Sequence, residues 1–134
     1  MTTKEARPPS HLNILVVEDS KDGAESLSRL LRLSGYDVRV ALDGSTALRE
    51  ASESPPDVVL LDIGLPGMDG WEVARRLREQ LQPKRPVFVA LTAYGGQDDF
   101  RRSAEEGLDL HLVKPVDMKV LRTFLEGVER QQER

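Results

Sequence analysis

The segment VVLLDIGLPGMDG, residues 58–70, decides the fold class of this chain. It joins a run of four apolar residues to Asp62, and then to a loop rich in glycine and proline that ends at Asp69. A short apolar run bounded by turn residues is typical of a strand buried on both faces of a parallel sheet. Gly64 and Pro66 follow Asp62 and indicate a loop, so this carboxylate is predicted to stand at a strand end without a helix to cap.

Four further apolar runs flank this segment, and stretches with a helical period lie between them. The predicted strands are residues 14–17, 36–42, 58–61, 87–91 and 110–113. Strands that alternate with helices indicate a parallel sheet, and an eight-stranded α/β barrel would need about 250 residues. The sequence therefore predicts an α/β fold, an open doubly wound sheet in a three-layer α/β/α sandwich.

The length of 134 residues is normal for one globular domain. We expect this domain to span residues 12–130, after a disordered lead-in over 1–11 and before a frayed C-terminus over 131–134, with no output domain behind it. Within the domain, Asp43 and Asp69 are predicted to cap the second and third helices.

Composition excludes several classes of function. The chain has no cysteine, which rules out disulfides, cysteine nucleophiles and thiolate metal sites. The 19 basic and 23 acidic residues give a net charge of −4, which disfavours direct nucleic-acid binding. The longest apolar run, residues 87–91, is far shorter than the roughly 20 residues of a membrane helix, and the N-terminus lacks a signal-peptide core. We therefore expect a cytoplasmic domain that binds no membrane.

Polar side chains follow four of the five predicted strands directly. They are Glu18 and Asp19 after the first strand, Asp62 after the third, Thr92 after the fourth and Lys114 after the fifth. In open α/β sheets ligands bind outside the carboxyl ends of the strands, so these groups are predicted to form one site. Asp19 alone is also a plausible N-cap of the first helix, and the residues leave both roles open.

This set of groups suits phosphoryl transfer assisted by a metal ion. Three carboxylates at one edge repel each other, and a bound cation relieves that repulsion. Only His11 and His111 could supply nitrogen ligands, so oxygen ligands favour Mg²⁺ or Mn²⁺ over zinc or copper. The metal and Lys114 would neutralise the phosphoryl oxygens while Asp62 attacks in line as the nucleophile.

The same motifs closely resemble the receiver domain of two-component response regulators, of the chemotaxis type, over about residues 12–130. The motifs that carry the resemblance are ED at 18–19, DIGLPGMDG at 62–70, TA at 92–93 and KP at 114–115. The resemblance implies a flavodoxin-like sheet of order 2-1-3-4-5. It also implies that a sensor histidine kinase or a histidine phosphotransfer protein donates a phosphoryl group to Asp62. The domain would be a phosphoacceptor in signalling that catalyses only its own phosphorylation and dephosphorylation.

The resemblance also implies the roles of the individual site residues. Asp19 and Asp62 would bind Mg²⁺ together with the backbone carbonyl of Gly64. Glu18 would reach the metal through a water molecule, and Lys114 would contact the phosphoryl group. The chain offers each of these residues at the matching place in its motifs.

The residues after the fourth strand would read out phosphorylation. By the resemblance, the Thr92 hydroxyl turns to the phosphoryl group, and Ala93 is small enough to leave the phosphoryl oxygens room. Tyr94 stands where receivers control water access, and we expect it to shield the acyl phosphate. These residues would couple the site to the surface of the fourth helix, fifth strand and fifth helix, where effectors dock.

His111 departs from the family pattern. Receivers normally carry Tyr or Phe as a rotating switch three residues before the lysine, which here is Lys114. A histidine is shorter and can become charged near neutral pH. We favour the interpretation that His111 is a tolerated surface ring, with a switch role as the alternative.

Two other functions compete with the phosphoacceptor. A phosphatase of the haloacid dehalogenase type carries a second aspartate two residues after the nucleophile as its general acid, and Gly64 at that position argues against it. A phosphorylation-independent interaction module with the same fold stays open. The sequence is also compatible with either a stand-alone protein or a domain of a hybrid histidine kinase.

Overall fold

Strands and helices alternate along the chain, as the apolar runs and the helical periods predict. The structure, a computed structural model, describes residues 12–93 and 97–132. In these residues the elements are β1 (Asn13–Val17), α1 (Lys21–Leu33), β2 (Asp37–Ala41), α2 (Gly44–Glu53), β3 (Val58–Asp62), α3 (Gly70–Leu81), β4 (Val87–Thr92), α4 (Gln97–Glu105), β5 (Leu110–Val113) and α5 (Met118–Gln132). The expected lead-in and Tyr94 lie outside the described residues.

The five strands form one parallel sheet of order β2-β1-β3-β4-β5. This confirms the doubly wound sheet and the strand order that the resemblance implied. The order reverses between β1 and β3, and this is the place where open α/β sheets form a crevice at their carboxyl edge. None of the helices in the described ranges is long and apolar enough to cross a membrane.

The central strand β3 buries all five of its residues, which explains why its sequence is a continuous apolar run. Val59 and Leu61 pack in a core cluster with α2 and α3, whereas Val58 and Leu60 pack on the opposite face with α1 and α5. Full burial of each such side chain contributes about 1.5–3 kcal/mol. One core cluster therefore packs on each face of β3, the strand that carries Asp62, and together they hold it in place.

Side-chain caps fix the starts of three helices around the site. Asp43 accepts a hydrogen bond from the Thr46 backbone N–H at 2.7 Å, and Asp69 caps α3 as predicted. The cap of α1 is Ser20, whose hydroxyl accepts from the Gly23 N–H at 3.2 Å. The capping role considered for Asp19 is therefore wrong, and its carboxylate belongs to the edge of the sheet.

Candidate functional site at the carboxyl edge of the sheet

Three carboxylates meet where β1 and β3 end. One carboxylate oxygen from each of Glu18, Asp19 and Asp62 lies within 4.8 Å of the other two. Glu18 and Asp62 are buried, at 4% and 7% exposure, whereas Asp19 faces solvent. The structure thus brings together the acidic residues that the sequence singled out, with one of them open to an incoming ligand.

The Lys114 ammonium bridges the two buried carboxylates. Its Nζ lies 2.5 Å from Glu18 Oε1 and 3.1 Å from Asp62 Oδ2. Its own backbone N–H donates to the Thr92 carbonyl at 2.7 Å, which ties the ends of β4 and β5 together. Lys114 is thus the internal counter-ion of this acidic cluster.

Asp62 is held in its ionised form. Burial works against the charge, but hydrogen bonds from Glu18, Gly64 and Lys114 outweigh burial and hold the pKa of Asp62 below its usual range. The Gly64 backbone N–H donates to Asp62 Oδ1 at 2.9 Å. A carboxylate that stays charged in a buried position has the chemistry that a nucleophile needs.

Glu18 behaves in the opposite way. Burial raises the pKa of Glu18 most, and the neighbouring Asp62 raises it further, against the lowering effect of Lys114. The two shifts run in opposite directions, so Asp62 ionises at a lower pH than Glu18. The pKa of Lys114 is raised, because its hydrogen bonds to the two carboxylates outweigh the effect of burial.

The donor set fits a hard divalent cation. In an octahedral Mg²⁺ site, opposite oxygens lie about 4.2 Å apart, twice the metal–oxygen distance of about 2.1 Å. Oxygens within 4.8 Å are close to this span, and a water molecule between Glu18 and the metal would relax it further. Asp19, exposed and near Asp62, stands where a cation can enter from solvent.

Thr92 and Ala93 lie at the same edge. Thr92 is the last residue of β4 and is buried, and Ala93 directly after it is exposed. In the pairing of β3 with β4, Asp62 lies opposite Leu91, the residue before Thr92. The end of β4 that carries Thr92 therefore lies beside the end of β3 that carries Asp62. A hydroxyl and a small side chain thus follow the strand next to the carboxylate.

His111 is partly exposed and has specific partners in the fold, and its interpretation as a tolerated surface ring stays a prediction. Its side chain is half-buried, its Nδ1 lies 2.8 Å from Ser103 Oγ, and its ring stacks on Phe100 with centroids 4.1 Å apart. Burial lowers the pKa of His111, although Asp99 opposes that effect. The hydrogen bond reaches α4, which a sequence pattern on β5 does not reveal.

Gly70, the last residue of the motif at 62–70, was given no role from the sequence, but the structure shows a tight steric constraint there. A Cβ added there would lie 2.6 Å from the Asp62 carbonyl oxygen and 2.8 Å from Ile63 Cα. Its backbone N–H also donates to the Ile63 carbonyl at 3.0 Å. The first turn of α3 therefore rests on the backbone of the acceptor residue. The sequence signal was a glycine directly after the cap Asp69, where better helix formers are otherwise favoured.

The chain is similar to known proteins in sequence and in fold. Over residues 14–126 the chain matches the family model of the response regulator receiver domain. The transcriptional regulatory protein PrrA of Mycobacterium tuberculosis is 46% identical over 102 residues, which cover 76% of this chain and 43% of PrrA. The sensor protein EvgS of Escherichia coli is 38% identical over 117 residues, 87% of this chain and 10% of EvgS.

The fold comparison agrees with the sequence comparison. The chemotaxis protein CheY4 of Vibrio cholerae superposes with a TM-score of 0.80 at 31% identity, covering 87% of this chain and 98% of CheY4. The chain spans less than half the length of PrrA and about a tenth of EvgS, so it corresponds to one domain of those proteins. This chain belongs to the family of response regulator receiver domains of two-component systems.

Proposed function

We propose that this receiver domain accepts a phosphoryl group on Asp62 from a phosphohistidine of a sensor histidine kinase or a histidine phosphotransfer protein. In this step a carboxylate oxygen of Asp62 attacks phosphorus, and the phosphorus–nitrogen bond to the donor imidazole breaks. The imidazole leaves with the bonding electron pair and takes up a proton from solvent. The carrying observation is that Asp62 is buried, ionised and paired with Lys114 at a strand end.

Mg²⁺ is the cofactor that the donor set favours, with Mn²⁺ as the substitute. Asp19, Asp62 and the backbone carbonyl of Gly64 would hold it, and Glu18 would act through water. When bound, the metal neutralises negative charge on the transferring phosphoryl group. The spacing of the three carboxylates within 4.8 Å supports this assignment.

The protein's own residues complete the site. Lys114 stabilises charge on the phosphoryl oxygens, and its position beside Asp62 supports this role. Thr92 offers its hydroxyl to the phosphorylated form, and Ala93 leaves room for the phosphoryl oxygens. Tyr94 shields the acyl phosphate from water in this proposal.

The donor approaches the site over α1. A groove of about 290 Å³ runs between α1 and the segment after β5, and Glu18 and Lys114 form part of its wall. The remainder of the wall is mainly apolar, and Leu30 at its rim is 46% exposed. An amphipathic helix that carries the phosphohistidine fits such a groove, because its apolar face can cover Leu30 while the imidazole reaches the site.

The α4–β5–α5 surface is the proposed output face. Each of these three elements exposes one large apolar side chain, namely Phe100 on α4, Val113 on β5 and Val120 on α5. Exposed apolar groups of this kind favour protein partners over solvent. The effector that docks here belongs either to the same chain of a larger regulator or to a separate protein.

Intact mass after incubation with acetyl phosphate tests the acceptor and the metal together. We expect one phosphoryl adduct on the wild type with Mg²⁺, and none with EDTA or in Asp62→Asn. Asp37→Asn is the matched control, since it removes an exposed carboxylate from the opposite edge of the sheet and should label like the wild type.

Three other results of this labelling experiment would each contradict one part of the proposal. An adduct that persists in Asp62→Asn would contradict the assignment of the nucleophile. An adduct that forms equally well in EDTA would contradict the metal. If neither acetyl phosphate nor a phosphorylated histidine donor labels the folded wild type, the domain is a phosphorylation-independent interaction module.

A further inference from the structure

A chain of hydrogen bonds joins α3, α4 and β5 on the side of the sheet opposite α1. The Trp71 indole Nε1–H donates to Ser103 Oγ at 3.2 Å, and the same hydroxyl lies 2.8 Å from His111 Nδ1. The Phe100 ring stacks on the imidazole, and the Arg102 guanidinium lies 4.1 Å above the Trp71 ring. One buried hydroxyl thus connects a tryptophan to a titratable ring.

These contacts include the one described residue that α4 buries. Ser103 is the buried residue of this helix, at 2% exposure, whereas Phe100 is 41% exposed. Helices on the same domain bury more, since α3 buries six residues and α5 buries three. A helix with so little apolar burial depends on specific contacts, and two of these, from Ser103 and Phe100, are made with His111.

The imidazole is arranged to be neutral. Its Nε2 atom is buried and has no hydrogen-bond partner among the described residues. The Ser103 hydroxyl accepts a hydrogen bond from Trp71 and can also accept one from Nδ1–H, and in that tautomer Nε2 of the neutral ring carries no proton. A protonated ring would carry a buried N–H donor without a partner, which is costly in an apolar site.

The charged groups around the ring do not offset this cost. On α4, Asp99 favours the protonated form of His111. On α3, the charge of the Arg75 guanidinium is paired with Glu106 at 2.9 Å. The neighbouring strand β4 carries no charged residue. Burial outweighs Asp99 and lowers the pKa of His111.

We propose that His111 is a proton-operated latch for α4. In its neutral form the ring is held by Ser103 and Phe100 and keeps α4 on β5. When it takes up a proton, the ring leaves its buried position and α4 loosens. Trp71 reports the change, because its indole shares the Ser103 hydroxyl with the imidazole. This latch concerns the output face but requires neither phosphorylation nor metal.

The direction of the pH effect follows from the two protonation states. The open state, with the ring in water, takes up a proton near the ordinary value of about 6.5, whereas the closed state does so at a lower pH. Opening is therefore favoured as pH falls below about 6.5, and the effect is complete below the lowered pKa of His111. Above neutral pH the latch stays closed.

Proton titration of the metal-free protein, followed by NMR of the imidazole and by Trp71 emission, tests the latch. His11→Gln serves as the background so that His111 is the one histidine in the chain. We expect His111 to titrate below 6.5 and Trp71 emission to change with the same midpoint. In Ser103→Ala the midpoint of the His111 titration should move towards 6.5. In His111→Phe the Trp71 emission should not change over the pH range of this titration.

Amide hydrogen exchange provides the test of α4 itself. After correction for the intrinsic pH dependence of exchange, protection in α4 should fall about three- to tenfold below the midpoint, the factor expected for one lost hydrogen bond. Protection in α2 should stay constant, and His111→Phe should abolish the change in α4. A His111 that titrates at or above 6.5, emission from Trp71 that ignores the titration, or unchanged protection of α4 would each overturn the latch. No phosphoryl donor is used, so these outcomes are independent of the acceptor chemistry.

Discussion

Replacement of Gly70 by alanine is expected to damage both the fold and the acceptor site. The added Cβ would lie 2.6 Å from the Asp62 carbonyl oxygen and 2.8 Å from Ile63 Cα, where ordinary contact begins at 3.4 Å. The neighbours are backbone atoms of the buried strand β3, so they cannot swing aside as a side chain can. The start of α3 must therefore move away from Asp62 by about 0.8 Å.

The magnitude follows from two opposing effects. Overpacking of this kind costs about 1–3 kcal/mol, whereas alanine is favoured over glycine in a helix by up to about 1 kcal/mol. We therefore expect Gly70→Ala to lower the free energy of unfolding by about 1–2 kcal/mol. A displacement of this size at Asp62 should also slow phosphorylation by about tenfold to a hundredfold, since catalytic geometry is sensitive to shifts near 1 Å.

Urea unfolding followed by circular dichroism measures the first effect, and the initial rate of adduct formation with acetyl phosphate measures the second. Gly127→Ala in α5 is the matched control. Its nearest heavy atom, Arg130 Nη2, would lie 3.8 Å from the new Cβ, so this change should stabilise the protein by about 0.5–1 kcal/mol. A Gly70→Ala protein as stable as the wild type, labelled at the same rate, would refute the close approach of α3 to Asp62.

Three further predictions concern the residues around Asp62. Glu18→Gln should raise the urea midpoint of unfolding at pH 7 in EDTA. Burial raises the pKa of Glu18 in the folded protein, so the wild type loses stability as pH rises above about 4.5. The uncharged glutamine avoids this loss. A lower midpoint would contradict it. Lys114→Ala should slow adduct formation by about a hundred- to a thousandfold in a mass time course, whereas exposed Lys119→Ala should not. Asp69→Ala, which removes the cap bonded to the Glu72 N–H at 2.9 Å, should lower stability by about 1 kcal/mol in urea unfolding.

Features set by local chemistry could be predicted from the sequence. The five strands follow from the apolar runs, and the predicted fifth strand, Leu110–Val113, agrees residue for residue with the structure. The caps Asp43 and Asp69 follow from their place before a helical period. The site residues could be grouped because parallel strands bring their carboxyl ends to one edge, which depends on topology and not on detailed packing.

Features that depend on how elements pack together in three dimensions could not be predicted from the sequence. Asp19 and Ser20 are adjacent and both can cap a helix, so the chain pattern does not say which one does. The close contact of Gly70 with Asp62 depends on the angle at which α3 meets β3. The bond from His111 to Ser103 depends on how α4 lies on β5, for which the sequence of either element alone carries no signal.

The strands that carry the site are buried more completely than the helix α4 on the proposed output face. This difference decides which element can move when the charge at the carboxyl edge of the sheet changes. β3 and β4 bury nearly every residue, and their ladder continues to the pair of Asp62 and Leu91 at the site itself. Strands packed in this way do not yield to the addition of one phosphoryl group. α4, by contrast, buries Ser103 alone among its described residues. Since moving elements are drawn from the least stable parts of a fold, α4 is the element through which both phosphorylation at Asp62 and protonation at His111 would act.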